Sequence, residues 1–343
     1  MLASGMHISL APMEGVVDYP MRLLMTELGG YDRCVTEFIR VTDVLLPDRV
    51  FFRYCAELEH GCHTLSGTPV HIQLLGSDPN AMAINACQAV SLGAVGIDLN
   101  FGCPAKTVNK SNGGSILLRD PERVAAIVRA VRDAVNPDVP VNAKVRLGYE
   151  TDETFEEVAE KVFEAGANEL CVHARTKVQG YKPPAYWLRA KAIVDAKPSA
   201  ALIINGEIWS VDDALTALRQ SQFGRLMLGR TALARPDLAL QIKACIAGEE
   251  YLPMPWKDVF KLVQTQFERS DKSSTRHIGN RTKQWLAYLK RTYPEAEVLF
   301  TAIKRLHEER DISRAMAEHE NYLTTPSPQP KTKFNGSAAQ LHA

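Results

Sequence analysis

Short apolar, β-branched runs alternate with longer amphipathic stretches through the first two-thirds of the chain. Residues 7–11, 33–37, 70–75, 95–99, 141–145, 169–173, 201–204 and 225–228 read as strands. Residues 121–134 open on Pro121 and place Val124, Ile127, Val128 and Val131 at helical spacing, which predicts an amphipathic helix. Residues 154–165 follow suit behind an acidic first turn, and residues 214–218 sit after Asp212 and Asp213, an acidic pair suited to capping them. From about 256 to 320 only helical periodicity is visible. The pattern therefore divides the chain into a barrel over 1–250, an all-helical domain over 251–321 and a Pro-, Ser-, Thr- and Lys-rich tail over 322–343 that reads as disordered.

Strands joined mostly by helices predict a (β/α)8 TIM barrel, with a doubly wound sheet as the alternative. The unusual polar residues favour the barrel. Pro12, Met13 and Glu14 follow the first strand, Gln73 lies in the third, and Asn100 to Cys103 follow the fourth. Lys144 lies late in the fifth strand and His173 ends the sixth; Asn205 and Gly206 follow the seventh, and Gly229 and Arg230 the eighth. A barrel gathers all of these around the mouth formed by its strand C-termini, where active sites of this fold lie.

Composition narrows the class. The 343 residues are 45% hydrophobic and 23% charged, as in an ordinary soluble globular enzyme. No apolar run approaches the roughly 18 residues of a membrane span, and the first residues show no secretory signal. The seven scattered cysteines form no Cys-x-x-Cys pair, which argues against a disulfide framework and for a reducing cytoplasm. Cys55 and Cys62 are too isolated to suggest a metal site, and no metal is expected. The formal net charge is zero, so any nucleic-acid surface must be sought locally.

Cys103 is the most informative cysteine. Gly102 and Pro104 flank it after the strand end Asn100, a turn that presents the thiol outward rather than packing it. Cys34, Cys87, Cys171 and Cys245 read as structural. Gly113 and Gly114, in a polar loop from Asn109 to Ser115, suit close backbone approach to a ligand or a mobile lid. Asn205-Gly206 and Gly229-Arg230 fall in the loops where barrels often bind phosphate, with Arg230 adding a charge. Lys144 and His173 resemble groups aimed at one electron-rich ligand. Between Arg269 and Arg291 lie seven basic residues (269, 272, 276, 281, 283, 290 and 291) against one acid, Asp271, with Trp285 and Tyr288 interleaved. Beside a barrel mouth that run suits a phosphate-backbone grip.

Across residues 7–315 the sequence resembles the tRNA-dihydrouridine synthases. The resemblance rests on Ala11-Pro12-Met13-Glu14-Gly15, Thr36-Glu37-Phe38, Gln73-Leu74-Leu75-Gly76, Asp98 to Pro104, Lys144-Val145-Arg146-Leu147-Gly148, His173-Ala174-Arg175-Thr176, Asn205-Gly206-Glu207 and Gly229-Arg230, in this order. It implies FMN near Pro12, Met13 and Glu14, contacted by Gln73, Lys144 and His173. The FMN phosphate would lie on Asn205, Gly206, Glu207, Gly229 and Arg230, and NADPH would be the electron donor. It also implies hydride transfer to uracil C6 and a proton to C5 from Cys103. The stretches around Thr36, Asn205 and Arg281 are similar to the bacterial C-type subfamily, which modifies position 16 of the tRNA D-loop. That likeness makes Arg40, Asn100, Tyr181, Arg281 and Lys283 the expected tRNA contacts, in a monomer. A flavin barrel acting on a free pyrimidine and a non-catalytic RNA-binding barrel are the competing readings.

Overall fold

The computed structural model describes residues 5–110, 112–197, 199–270 and 278–324. Nine parallel segments build the sheet: β1 (His7–Leu10), β2 (Arg33–Val35), β3 (Ile39–Arg40), β4 (Val70–Leu75), β5 (Ile97–Asn100), β6 (Val141–Gly148), β7 (Glu169–Thr176), β8 (Ala201–Asn205) and β9 (Arg225–Leu228). Their order is β2-β1-β9-β8-β7-β6-β5-β4-β3, and β2 also pairs with β4. That last pairing closes the sheet. β2 and β3 are successive pieces of one stave against β4, so nine segments make eight staves. A closed sheet rules out the doubly wound alternative.

The sequence predicts one strand over 33–37, and the structure breaks it after Val35. Side chains explain the break. Thr36 Oγ1 accepts the Gln73 amide at 3.0 Å, and the Glu37 carboxylate accepts the Gly15 amide, so sheet hydrogen bonds give way to side-chain ones. Elsewhere β6 and β7 run three residues past their expected ends, to Gly148 and Thr176.

Strand side chains alternate between two faces. Ile8, Leu10, Ile72, Leu74, Ile97, Leu99, Val145, Val172, Ile204 and Leu226 join the helices in the main hydrophobic core. Each contributes about 1.5–3 kcal/mol by leaving water. The opposite face holds only a small separate cluster of Ala11, Val35, Cys171, Ile203 and Met227. Its other members are polar and buried: Ser9, His71, Gln73, Asp98, Asn142, Glu169, His173 and Asn205. The barrel axis is therefore mostly polar.

The helix Pro121–Ala134 has the predicted bounds and is capped by Asp120, whose carboxylate accepts the Arg123 amide at 3.0 Å. Phe155–Glu164 lies inside its predicted range. Val211–Ser221 is longer than predicted, and its cap is Ser210 rather than the Asp pair. Ser210 Oγ accepts the Asp213 amide at 3.1 Å while Asp213 accepts the Trp209 amide at 2.9 Å, a reciprocal cap.

Four C-terminal helices follow: Trp256–Arg269, Asn280–Leu289, Pro294–Ile303 and Glu309–Thr324. Their apolar faces (Val259, Phe260, Val263, Trp285, Leu286, Leu289, Leu299 and Ile312) belong to the same continuous core as the barrel. Trp285 is fully buried and donates to the Leu233 carbonyl at 3.0 Å. The last helix takes in residues 322–324 of the expected tail; residues 325–343 lie outside the described ones. Among the described residues no helix is long and apolar enough to cross a membrane.

One buried ion pair ties the segment after β3 to the barrel. Arg22 meets Glu57 through two hydrogen bonds of 2.7 Å, and both side chains are wholly buried. Arg22 also donates to the carbonyls of Val17 and Tyr54. Glu57→Ala leaves this guanidinium buried without its counter-ion, and is expected to cost about 3–5 kcal/mol in urea unfolding. A loss below about 1 kcal/mol would show that the pair contributes little.

Candidate active site

Two adjoining cavities open at the strand C-termini. The smaller, about 100 Å³, lies between Ala11, Asn205, Gly206, Glu207 and Gly229. The larger, about 380 Å³, is lined by Glu14, Gln73, Asn100, Cys103 and Arg146. Pro12, Met13, Lys144, His173, Tyr181 and Arg230 line both. Every residue expected from the sequence to bind cofactor thus lies in one connected mouth, together with Cys103, Asn100 and Tyr181. Arg40, Arg281 and Lys283 lie outside it.

Cys103 is partly accessible on a loop held from both sides. The amides of Gly102 and Cys103 each donate to Asn100 Oδ1 at 2.9 Å. The Cys103 carbonyl accepts from Asn109 Nδ2 at 3.0 Å and from Ser115 through its amide and hydroxyl at 3.1 and 2.9 Å. Gly114 has φ +66°, and a Cβ there would stand 2.9 Å from the Cys103 carbonyl oxygen. The glycine loop braces the cysteine loop. Burial pushes the Cys103 thiol above its ordinary pKa, against a backbone hydrogen bond from Ala105 and the nearby Arg146 and Lys144 charges.

His173 is buried, and its Nε2 has no hydrogen-bond partner among the described residues. Burial holds this imidazole well below its usual pKa, and Arg146, Lys144, Arg175 and Arg230 push the same way, so it is neutral. Gly206 has φ +107°, and a Cβ there would stand 2.6 Å from His173 Cδ2. Lys144 Nζ reaches Asn205 Oδ1 at 3.3 Å, and Asn205 in turn donates to the Met227 carbonyl at 2.8 Å. Glu207, with φ 57°, binds Arg175 and accepts from Trp209 Nε1 at 2.9 Å.

Arg146, part of the Lys144–Gly148 motif, is a further residue of the mouth. It donates to the Gly102 carbonyl at 2.8 Å and to those of Thr176 and Gly180 at 3.1 Å each, and stacks over Tyr181 at 5.2 Å. Its signal was parity: two residues beyond Lys144 on one strand, it faces the same side. Tyr288, from the helix Asn280–Leu289, also reaches the larger cavity, and no strand periodicity could have placed it there.

Several cations of the basic run have partners within the protein. Lys283 is buried and donates to the Leu306 carbonyl, in the turn between the helices Pro294–Ile303 and Glu309–Thr324. Arg269 pairs with Glu27 at 2.6 Å, Arg281 with Asp18 at 3.2 Å and Lys290 with Glu297 at 2.9 Å, while Arg291 lies 5.3 Å over the Trp209 ring. These cations hold the helices together and onto the barrel. Asp271, Lys272 and Arg276 lie outside the described residues. Arg40 is exposed at the end of β3. Cys34 and Cys171 are buried as expected, Cys87 is half-buried and Cys245 is exposed on a helix surface. Cys55 and Cys62 meet at 3.7 Å between sulfurs, and no metal-holding group of three or more His, Cys, Asp or Glu occurs among the described residues.

A thiol, a neutral imidazole and several cations line one glycine-walled mouth of this (β/α)8 barrel, an arrangement suited to an anionic ligand. Residues 9–321 match the family model for dihydrouridine synthase (Dus), and the chain belongs to that family of flavin-dependent oxidoreductases, which reduce uridine in tRNA. It is 49% identical over 312 residues to a tRNA-dihydrouridine(16) synthase of Pseudomonas putida, covering 91% of this chain and 96% of that one. Proteins of the same name from Shewanella oneidensis and Escherichia coli O157:H7 are 47% and 44% identical, covering 93% and 91% of this chain and 99% and 97% of theirs. Among solved structures, a 2-naphthoyl-CoA reductase complex superposes with a TM-score of 0.53 at 14% identity, over 71% of this chain and 50% of that one. That likeness shows the barrel fold alone.

Proposed function

We propose that this chain reduces the C5=C6 bond of uridine 16 in the tRNA D-loop, with FMN in the barrel mouth and NADPH as electron donor, as a cytoplasmic monomer. The observation that carries the reading is the convergence of Cys103, Lys144 and the unpartnered His173 Nε2 on one connected mouth. The relatives named for position 16, covered almost end to end, support the choice of uridine.

The residues present fit FMN. A buried imidazole nitrogen without a partner would suit a polar atom of a flat ring, and Gly206 packs so closely on His173 that a side chain there would displace the imidazole. Asn205, Gly206, Glu207, Gly229 and Arg230 form the end suited to a phosphate, with Arg230 as its cation. Pro12, Met13, Glu14, Gln73 and Lys144 would hold the ring, with Lys144 supplying positive charge to it. Bound FMN supplies the hydride for uracil C6.

The chain's own groups do the rest. The Cys103 thiol gives its proton to C5 and regains one from water at the open mouth. Asn100 spends one amide hydrogen on Gln73, and the second is its contact for a uracil carbonyl. Tyr181, half-exposed beside Arg230 and Arg146, supplies a stacking face at the entrance. The uridine must leave its stack to enter, which a loop permits more readily than a duplex. Arg40, Arg281 and the helical domain at 251–321 provide the outer tRNA contacts, with Arg281 held 3.2 Å from the half-buried Asp18.

Cys103→Ala is expected to keep its flavin and slow single-turnover uridine reduction by about 10²- to 10⁴-fold, the usual worth of a general acid. A loss under about 10-fold would remove Cys103 from that role. The acid works only while protonated, so the rate falls as pH rises through its pKa. Because burial raises that pKa, the rate should stay level through neutrality and drop only above the ordinary thiol value of 9.0. Gly206→Ala should yield protein with little bound flavin, read from its visible absorbance after purification; a wild-type flavin content would contradict the proposed ring position.

A further inference from the structure

We propose that Asp98 is a positioning residue for the reaction, because its buried carboxylate fixes the amides of Gln73 and Asn100 and, through them, the loop that presents Cys103. The inference rests on the reading of Cys103 as the proton donor. Asp98 neighbours Gln73 across the β4–β5 pairing and is almost wholly buried. Gln73 Nε2 donates to Asp98 Oδ1 at 2.6 Å, Asn100 Nδ2 donates to Gln73 Oε1 at 2.7 Å, and Asn100 Oδ1 accepts the amides of Gly102 and Cys103.

The direction of this chain is forced from both ends. Backbone amides only donate, so Asn100 must turn its oxygen toward the Cys103 loop. An ionised carboxylate only accepts, so Gln73 must turn its nitrogen toward Asp98 and its oxygen toward Asn100. Each amide has one allowed orientation: flipping Gln73 breaks two hydrogen bonds at once, and flipping Asn100 breaks three.

Packing gives no reason for an acid at this height. Its register neighbours are the uncharged Gln73 and Asn142, and a buried carboxylate carries a desolvation cost that an uncharged side chain avoids. Burial pushes the Asp98 carboxyl up to about 6, held there by the Gln73 hydrogen bond and by the Arg33 and Lys144 charges; Cys171 also faces it. At neutral pH it is still an acceptor. Asp98 itself does not line the mouth cavities, so it acts through Gln73 and Asn100 and touches no substrate.

The test compares Asp98→Leu with Asp98→Asn in the full chain. Leucine removes the acceptor; asparagine keeps an amide oxygen that can take the Gln73 hydrogen bond while the loop end preserves the direction of the relay. Two readouts are used: kcat and KM for tRNA per bound flavin, and the rate of Cys103 alkylation by iodoacetamide in flavin-free protein, followed by peptide mass. In Asp98→Leu, kcat should fall by about 10- to 100-fold, the cost of a misplaced reacting group, with KM for tRNA within about twofold. Its Cys103 alkylation rate should change by more than about threefold, whereas Asp98→Asn should stay near wild type in both readouts. Should Asp98→Leu not fold, Asp98→Ser, whose hydroxyl stops short of Gln73, carries the same expectations.

Wild-type kcat per flavin and wild-type alkylation in Asp98→Leu would overturn the proposal in favour of a folding role. An Asp98→Asn variant as slow as Asp98→Leu would overturn it in favour of a role for charge alone. If wild type itself reduces no tRNA uridine, the parent reading fails, while the alkylation arm still decides whether Asp98 positions Cys103.

Discussion

Closure of the parallel sheet through the β2–β4 pairing is the constraint on which the rest of the structure depends. Once the staves form a ring, the alternation of each strand sends every second side chain toward one axis, at a height set by register. Asn100 is then the neighbour of Lys144, and His173 the neighbour of Asn205. No loop has to fold back to bring these groups together. The remaining loops add the thiol, the glycine wall and the arginines around a floor already placed by the strands.

That arrangement sets the electrostatics of the mouth. Burial keeps His173 neutral, with the charges of Arg146, Lys144, Arg175 and Arg230 acting the same way, while burial raises the Cys103 thiol, so the thiol keeps its proton at neutral pH. The polar axis below is costly to bury and is balanced by internal pairs, such as Arg33 with Glu169 at 2.6 Å and Gln73 with Asp98. Stability is carried by the outward faces of the strands and by the helices packed on them. The inward faces are free to carry chemistry.

Much of this was legible in the sequence because period-two and period-3.6 patterns are local. The eight strand positions, the helix Pro121–Ala134 and the gathering of Gln73, Asn100, Cys103, Lys144, His173 and Arg230 at one end all follow from apolar runs and what interrupts them. What escaped depended on contacts between distant residues. The break between β2 and β3 is made by Thr36 and Glu37 bonding to Gln73 and Gly15. The bond from Lys283 to the Leu306 carbonyl joins residues distant in sequence, and Ser210 outcompetes an acidic pair as a cap only once Asp213 turns back to Trp209. Charge counts along the chain cannot distinguish a cation that faces RNA from one that ties a helix to its neighbour.

The central claim is that this mouth reduces one D-loop uridine, and position-by-position mapping of dihydrouridine tests it most directly. The tRNA would come from a strain lacking this protein, with and without the wild-type chain restored. The account predicts loss of dihydrouridine at position 16 alone and its return with the wild-type chain. Unchanged dihydrouridine at position 16, or loss confined to another position, would contradict it.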